Sequence, residues 1–351
     1  MEIIHIANYK GDAKNGIDIV LNNIVKHSRF TNIIYPLGCV NHQHKIHHAI
    51  EPSLLNIINR LRNKKQIFVV FHSIYSHKTA IIYLFVRLFK IRYCIFPHSS
   101  LTIESQKKSK IRKTFFKYLL LDRMINNSSY INFLNNEEVL NSYINKHTYE
   151  IVGNGVDLGI RCKKENYISF LGRYDIIHKG IDVLLEALVI SSNEIRNKSY
   201  KVIFRGVCEK RSDLEKIKKY ITENKIDDFV DIGGPLTEIS EKNEFLAKSK
   251  YYILTSRYEG LPITVLEALS NGTPVIITPG TNTTKIVTNN NLGYSAQMDP
   301  NSIAENIIKA INLNDREYLT ISTECYNYAK KYLNWDNIVR EHDNNYGKYH
   351  K

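Results

Sequence analysis

The stretch "YYILTSRYEGLPITVLEALSNGTPVIIT", Tyr251 to Thr278, contains a complete strand–helix–strand unit. An apolar run from Tyr251 gives way to a short loop at Ser256. Glu259, Gly260, Leu261 and Pro262 lead into "ITVLEAL", a good apolar helix segment ending near Ser270. Pro262 suits the first helical turn, where its missing N–H has no bond to make. Gly272 suits the position just past the helix end. A second apolar run, "TPVIIT", follows from Thr273. Near-continuous apolar strands joined by helices indicate a parallel sheet covered on both faces.

The same alternation extends both ways. Towards the N-terminus, strands are expected at "YISFLG" (from Tyr167), "KVIFRG" (from Lys201) and "FVDIGG" (from Phe229). Helices are expected at Ile181–Ser191 and Arg211–Asn224, and beyond the opening stretch at Pro300–Leu313. Before a break rich in glycine and charge at "GNGVDLGIRCKKEN", Gly153 to Asn166, a second set of strands begins at Glu2, Thr31, Gln66, Arg92 and Ser129. The last helical region, about Arg316 to Tyr346, breaks near Asn334 and Trp335. At 351 residues the chain exceeds one typical core of roughly 100–200 residues. The expected fold class is α/β, with two doubly wound Rossmann-like domains in series, 1–158 and 159–333, and a C-terminal segment 334–351. In such folds ligands lie beyond the carboxyl ends of the strands, which points to the cleft between the domains.

Chemistry concentrates at those ends. The helix after Pro262 aims its positive end above the sheet, where a phosphate would fit. Glu259 lies in the loop and Glu267 about one and a half turns into the helix. Two readings are open: acceptors for paired hydroxyls of a sugar and a ribose, or a first-turn charge and a solvated helix residue. In "FLGRYDIIHKGIDVLLEAL", Phe170 to Leu188, Arg173 and Lys179 sit at the first strand–helix turn of the second domain. Two cations there suit a diphosphate, Arg as a fork and Lys as a point charge, or are surface cations in a loop. In "CIFPHSS", His98 follows a strand of the first domain, as a structural histidine or one facing the cleft. Gly11 and Gly16 occupy the first strand–helix turn without forming a G-x-G-x-x-G fingerprint.

Several classes are disfavoured. There is no Walker loop, no zinc-like Cys/His spacing and no Asp-x-Asp pair. "NHQHKIHH" (His42, His44, His47, His48) reads as a solvated loop without a nearby carboxylate. Five scattered cysteines without a C-x-x-C pair read as free thiols of a reducing cytoplasm. No secretory signal is recognised, and no apolar run reaches the roughly 18 residues of a membrane span. The formal charge of +13 favours anionic partners. "SQKKSKIRKTFFKYLLLDRM", Ser105 to Met124, mixes cations with Phe, Tyr and Leu, as an interfacial helix on an anionic membrane does. A core-packed helix with a basic solvated side has the same composition.

Together these motifs resemble the GT-B glycosyltransferases of family 4, which retain the anomeric configuration. "FLGRYDIIHKGIDVLLEAL" resembles their Gly-Arg…Lys-Gly motif, and "SRYEGLPITVLEALSNGTPVI" their glutamate pair followed by Gly-x-Pro-Val. "GNGVD" matches their interdomain stretch, "FPHSS" resembles their Pro-His-Gly, and "YLNWDNIVREHDNNY" resembles the helix crossing back onto the first domain. The resemblance implies that Arg173 and Lys179, with Gly16, hold a donor diphosphate. It implies that Glu267 holds the ribose hydroxyls, and that Glu259, with Gly260, Leu261 and Pro262, holds the transferred sugar. Gly233 and Gly234 would flank the base, and His98 and Glu259 would be the catalytic pair. No metal and no cofactor are implied, the UDP or GDP sugar being the substrate. The implied partners are a glycan or lipid-linked acceptor and an anionic membrane surface met by residues 105–124, with no nucleic acid. The implied place is the inner face of the plasma membrane. Ser99 departs from the family's glycine after the histidine. The alternatives are a sugar-nucleotide epimerase of similar fold and a basic nucleic-acid-binding protein; for the latter no recognition motif is present.

Overall fold

The computed structural model describes residues 1–11, 16–40, 53–63, 66–103, 120–144 and 148–350. The chain divides into two compact units, Met1–Gly155 with Trp335–Lys351, and Val156–Asn334.

The first unit holds a parallel sheet in the order β2-β1-β3-β4-β5-β6. Its strands are β1 (Glu2–Ala7), β2 (Thr31–Pro36), β3 (Ile67–Phe71), β4 (Arg92–Ile95), β5 (Tyr130–Phe133) and β6 (Tyr149–Ile151). Side chains alternate across a strand, so each strand feeds two cores. Ile4, Ile6, Val69, Phe71, Tyr93 and Ile95 pack on one face. Ile3, Phe68, Val70, Cys94 and Phe96 pack on the other, against Tyr346 of the C-terminal helix Trp335–His350. That helix buries Trp335, Ile338, Val339, His342 and Tyr346, spaced three and four apart as one helical face requires. Each large apolar side chain so buried contributes about 1.5–3 kcal/mol. Asp343 fixes the helix by accepting from Ser28 Oγ at 2.7 Å and Arg29 N at 2.8 Å. At Gly155 an added Cβ would lie 2.5 Å from the Trp335 ring, so the glycine makes room for the indole.

The second unit holds a parallel sheet in the order β12-β11-β10-β7-β8-β9. Its strands are β7 (Glu165–Leu171), β8 (Lys201–Arg205), β9 (Val230–Gly233), β10 (Ser249–Leu254), β11 (Val275–Ile277) and β12 (Gly293–Ser295). Chain order reverses between β7 and β10, and in doubly wound sheets the ligand crevice lies at that switch point. The corresponding neighbours in the first unit are β1 and β3.

Several details differ from the sequence reading. The helix of the opening stretch is Ile263–Ser270, and Pro262 is its extended N-cap rather than its first residue; proline loses no bond in either place. The final helical region breaks as expected, through a wide turn at Ala329–Leu333 and an extended Asn334. The edge strands β6 and β12, three residues each, lack an apolar run long enough to read. The helix Ile239–Lys248 was also unread, although Glu238 and Glu241 form a capping box at its start.

Candidate functional site

At the switch point of the second unit, the loops after β7 and β10 are bound to each other. Asp175 caps the short helix Ile176–Lys179, and Gly180 ends it with φ +64°. A Cβ at Gly180 would stand 2.1 Å from Thr255 O, so only glycine fits both the backbone and the space. Arg257 N donates to His178 O at 2.9 Å, and the Arg257 fork holds Asp182 at 2.8 and 2.7 Å. His178 Nε2 donates to Tyr258 O at 2.8 Å. Its Nδ1 is then the acceptor for Arg173 Nη2 at 3.3 Å. Burial lowers the His178 pKa against the opposing effect of Glu259, which favours this neutral ring.

Lys179 and Glu259 meet directly. Lys179 Nζ is 2.5 Å from Glu259 Oε1, which also accepts from Ser256 Oγ at 2.7 Å. Asn282 Nδ2 donates to Glu259 O at 2.6 Å, holding the loop from behind. Arg173 reaches the exposed Glu209 at 3.1 Å. Gly260, Leu261 and Pro262 carry the chain from Glu259 into the helix. Glu267 lies inside that helix and is buried, with Lys242 Nζ 2.5 Å from its Oε1. Its Oε2 is buried without a hydrogen-bond partner. Burial pushes the Glu267 carboxyl above its ordinary pKa, and Lys242 opposes that only in part. A buried carboxylate oxygen without a donor is costly. The site therefore carries an unmet demand for a hydroxyl or N–H.

Gly233, which ends β9, and Gly234, which follows it, have different surroundings. Gly233 lies beneath the Arg205 guanidinium and its carbonyl accepts from Tyr174 Oη at 2.5 Å. Gly234 is open and lines a groove of about 590 Å³ with Arg205, Pro235, Phe245 and Lys248. Neither Arg173, Lys179, Glu259 nor Glu267 lines that groove.

His98 and Gly16 belong to the first unit, and the residues above to the second. Gly16 opens the helix Gly16–His27, whose first turn carries buried Asp18. Asp18 accepts from Lys10 N at 3.1 Å, so a carboxylate already stands beside that helix start. His98 and Ser99 follow β4 with φ of +45° and +63°. Non-glycine residues in that region cost of the order of 1–3 kcal/mol each. Buried Glu138 compensates, accepting from Ser99 N at 2.5 Å and Leu134 N at 2.6 Å. A glycine would take this turn without strain; here Glu138 holds a serine in it.

His98, itself half-buried, also joins a series of rings that runs into the core. His98 Nε2 is 2.9 Å from His72 Nδ1, and His72 Nε2 is 3.0 Å from His5 Nδ1. Asn32 Oδ1 closes the series, 2.9 Å from His5 Nε2. His342 packs tilted against Phe96, with ring centroids 5.0 Å apart. Burial lowers the His5 pKa to about 4 and that of His342 to about 3, from 6.5. The unfolded chain therefore binds protons near pH 6.5 that the folded chain refuses, so stability is whole above that pH and falls below it. At about 1.4 kcal/mol per pKa unit, the melting midpoint of this unit is expected to drop steeply between pH 6.5 and 4. Calorimetric melts across that range test this, and His342→Phe should flatten the slope. A midpoint independent of pH there would contradict it.

The sequence reading named Arg173, Lys179, Glu259, Glu267 and His98, and missed Lys242, His178, Glu138, His72, His5 and Asn32. These partners arrive from other elements, and no local spacing marks them. His42–His48 lie outside the described residues, as does the basic stretch except for Leu120–Met124. Among the described residues no three His, Cys, Asp or Glu side chains are grouped to hold a metal ion. No helix among them is long and apolar enough to cross a membrane.

Two parallel six-stranded sheets with their surrounding helices give the GT-B glycosyltransferase fold. HepE of Anabaena, solved in complex with UDP and glucose, superposes with a TM-score of 0.78 over 99% of this chain and 100% of its own, at 14% identity. Sucrose-phosphate synthase of Thermosynechococcus elongatus superposes at 0.74 over 99% of this chain and 98% of its own, also at 14% identity. Within that fold, residues 160–332 match the family model described as Glycosyl transferases group 1. An uncharacterized glycosyltransferase of Methanocaldococcus jannaschii is 27% identical over 239 residues, 66% of this chain and 62% of that protein. The amylovoran biosynthesis glycosyltransferase AmsD of Erwinia amylovora is 31% identical over 116 residues, 33% of this chain and 30% of its own. The chain thus spans less than two thirds of either curated relative.

Proposed function

We propose that this chain is a retaining glycosyltransferase that moves a sugar from a nucleoside-diphosphate sugar to a glycan or lipid-linked acceptor, in the synthesis of an envelope polysaccharide. The observation that carries the reading is Glu267. Its buried, unpartnered Oε2 stands on the helix that starts one loop away from the Lys179–Glu259 pair. A ribose offers two adjacent hydroxyls to such a carboxylate, and a diphosphate offers Arg173 and Lys179 their counter-charge. HepE, bound to UDP and glucose in its crystals, supports a uridine diphosphate sugar as donor. AmsD, named for amylovoran biosynthesis, supports a polysaccharide product.

The chemistry follows from charge. A sugar nucleotide breaks at the bond between the anomeric carbon and the diphosphate oxygen, and negative charge grows on that oxygen. Arg173 and Lys179 stabilise it without a metal ion. The acceptor hydroxyl then attacks from the face the diphosphate leaves, and the departing phosphate oxygen takes its proton. Glu259 leaves Lys179 for a hydroxyl of the transferred sugar once the diphosphate supplies the lysine's counter-charge. Gly234 and its groove are placed with the base, and the stretch 105–124 with an anionic membrane at the cytoplasmic face.

A thermal-shift screen against UDP, GDP and ADP sugars tests the reading. At 100 times the dissociation constant a ligand stabilises by about 2.7 kcal/mol, or roughly 5–10 °C for a unit of this size. Silence across all three classes would remove the donor assignment. Glu259→Gln is expected to keep donor affinity within a few-fold while turnover drops on the order of 10²-fold; near-normal turnover would withdraw its role on the sugar.

A further inference from the structure

The direction of the hydrogen bonds in the histidine series can be deduced from its closed end. Asn32 Nδ2 donates to Phe30 O at 2.8 Å, which turns its Oδ1 towards His5. A carboxamide oxygen only accepts, and a neutral imidazole has one donor and one acceptor. His5 therefore carries its proton on Nε2 and accepts at Nδ1. His72 must then donate from Nε2 and accept at Nδ1, and His98 must donate from Nε2. The opposite tautomer at His98 would set two lone pairs against each other across 2.9 Å. His98 Nδ1 is left as a bare acceptor with no partner among the described residues.

We propose that Asn32, His5 and His72 are positioning residues that fix His98 as its Nε2–H tautomer and present Nδ1 as the hydrogen-bond acceptor for a substrate hydroxyl. The tautomer assignment stands on the first unit alone; the hydroxyl rests on the glycosyl-transfer reading above. The rings are held as well as oriented. His72 and His98 stack with centroids 5.2 Å apart, and Phe96 packs edge-on to His72 at 5.0 Å. His5 and His72 are buried. Burial holds the pKa of His98 near 4 and that of His72 well below 6.5, so the series is neutral at pH 7. It ends on an amide, which takes no proton. His98 thus orients a hydroxyl without carrying its proton away, leaving the departing phosphate to receive it. His98 also sits on the strained turn that Glu138 pins, so ring and backbone are both fixed.

The test is ¹⁵N-detected NMR of histidine-labelled protein, with His98→Ala to assign the ring, read without substrate. Wild type is expected to show His98 protonated at Nε2 and bare at Nδ1. Asn32→Leu removes the fixed end and should give both tautomers. His72→Gln should keep the wild-type pattern, because its amide can donate to His5 and accept from His98. In turnover assays Asn32→Leu should lower kcat several-fold to about tenfold with the donor KM unchanged, whereas His72→Gln should retain most of the wild-type kcat. A merely structural role would lower the melting midpoint without moving the tautomer or splitting kcat from KM. His98 protonated at Nδ1 in wild type overturns the proposal, as does an unchanged tautomer in Asn32→Leu. If the tautomers are as stated and no sugar nucleotide is turned over, the glycosyl-transfer reading falls and the positioning role stands.

Discussion

Replacing Arg173 and Lys179 together with alanine is expected to weaken binding of a nucleoside-diphosphate sugar by on the order of 10³-fold, measured by titration calorimetry. A hydrogen bond to a charged group contributes about 1.5–3 kcal/mol, and the diphosphate would lose at least two. Removing Lys179 also leaves Glu259 without its cation, so a bare carboxylate would face the incoming phosphates. Arg173 is less entangled, because its partner Glu209 is exposed and can turn to water and its bond to His178 is long, at 3.3 Å. The single variants should therefore differ. Arg173→Ala should lose affinity with little change in melting, whereas Lys179→Ala should lose both. Lys179→Arg keeps the charge and should recover part of the affinity. Unchanged donor affinity in the double variant would take the diphosphate away from this loop.

Glu267→Gln is expected to separate stability from binding. Burial raises the Glu267 carboxyl pKa, so the folded chain holds that proton more tightly than the unfolded chain does. Keeping the group charged at neutral pH therefore costs folding free energy. The amide removes that cost, and Lys242, about a quarter exposed, can reach water once its partner is neutral. The variant should melt at the wild-type temperature or above. Donor affinity should nevertheless fall roughly 10- to 100-fold, the range of one charge-assisted hydrogen bond. The loss should vanish for a 2′,3′-dideoxynucleoside diphosphate, which has no hydroxyls to offer. Equal losses for ribose and dideoxyribose ligands would remove the ribose from Glu267. Such a trade of stability for binding is common where a polar group is kept buried for a ligand.

The sequence by itself determined much of this. The strands of both sheets were legible wherever they are buried on both faces, because burial on two sides demands unbroken apolar runs such as Ile67–Phe71 and Tyr251–Leu254. Arg173, Lys179, Glu259 and Glu267 were legible because each stands at a fixed offset from a strand end or a helix start, and local spacing carries that information. Strands of three residues at the sheet edges were not, since nothing in so short a run separates strand from loop. Only the tertiary structure decided which groups face one another. Lys242 meets Glu267 across 25 positions, and His5 meets His72 across 67. Asn32, on an edge strand, sets the hydrogen bonds of a histidine two strands further across the sheet than its immediate neighbour. Hydrogen-bond direction depends on partners that folding brings together, so it has no signature along the chain. That is why the acids and cations of the loops could be named from residue order, while the ring nitrogen His98 offers to a substrate required the packed sheet.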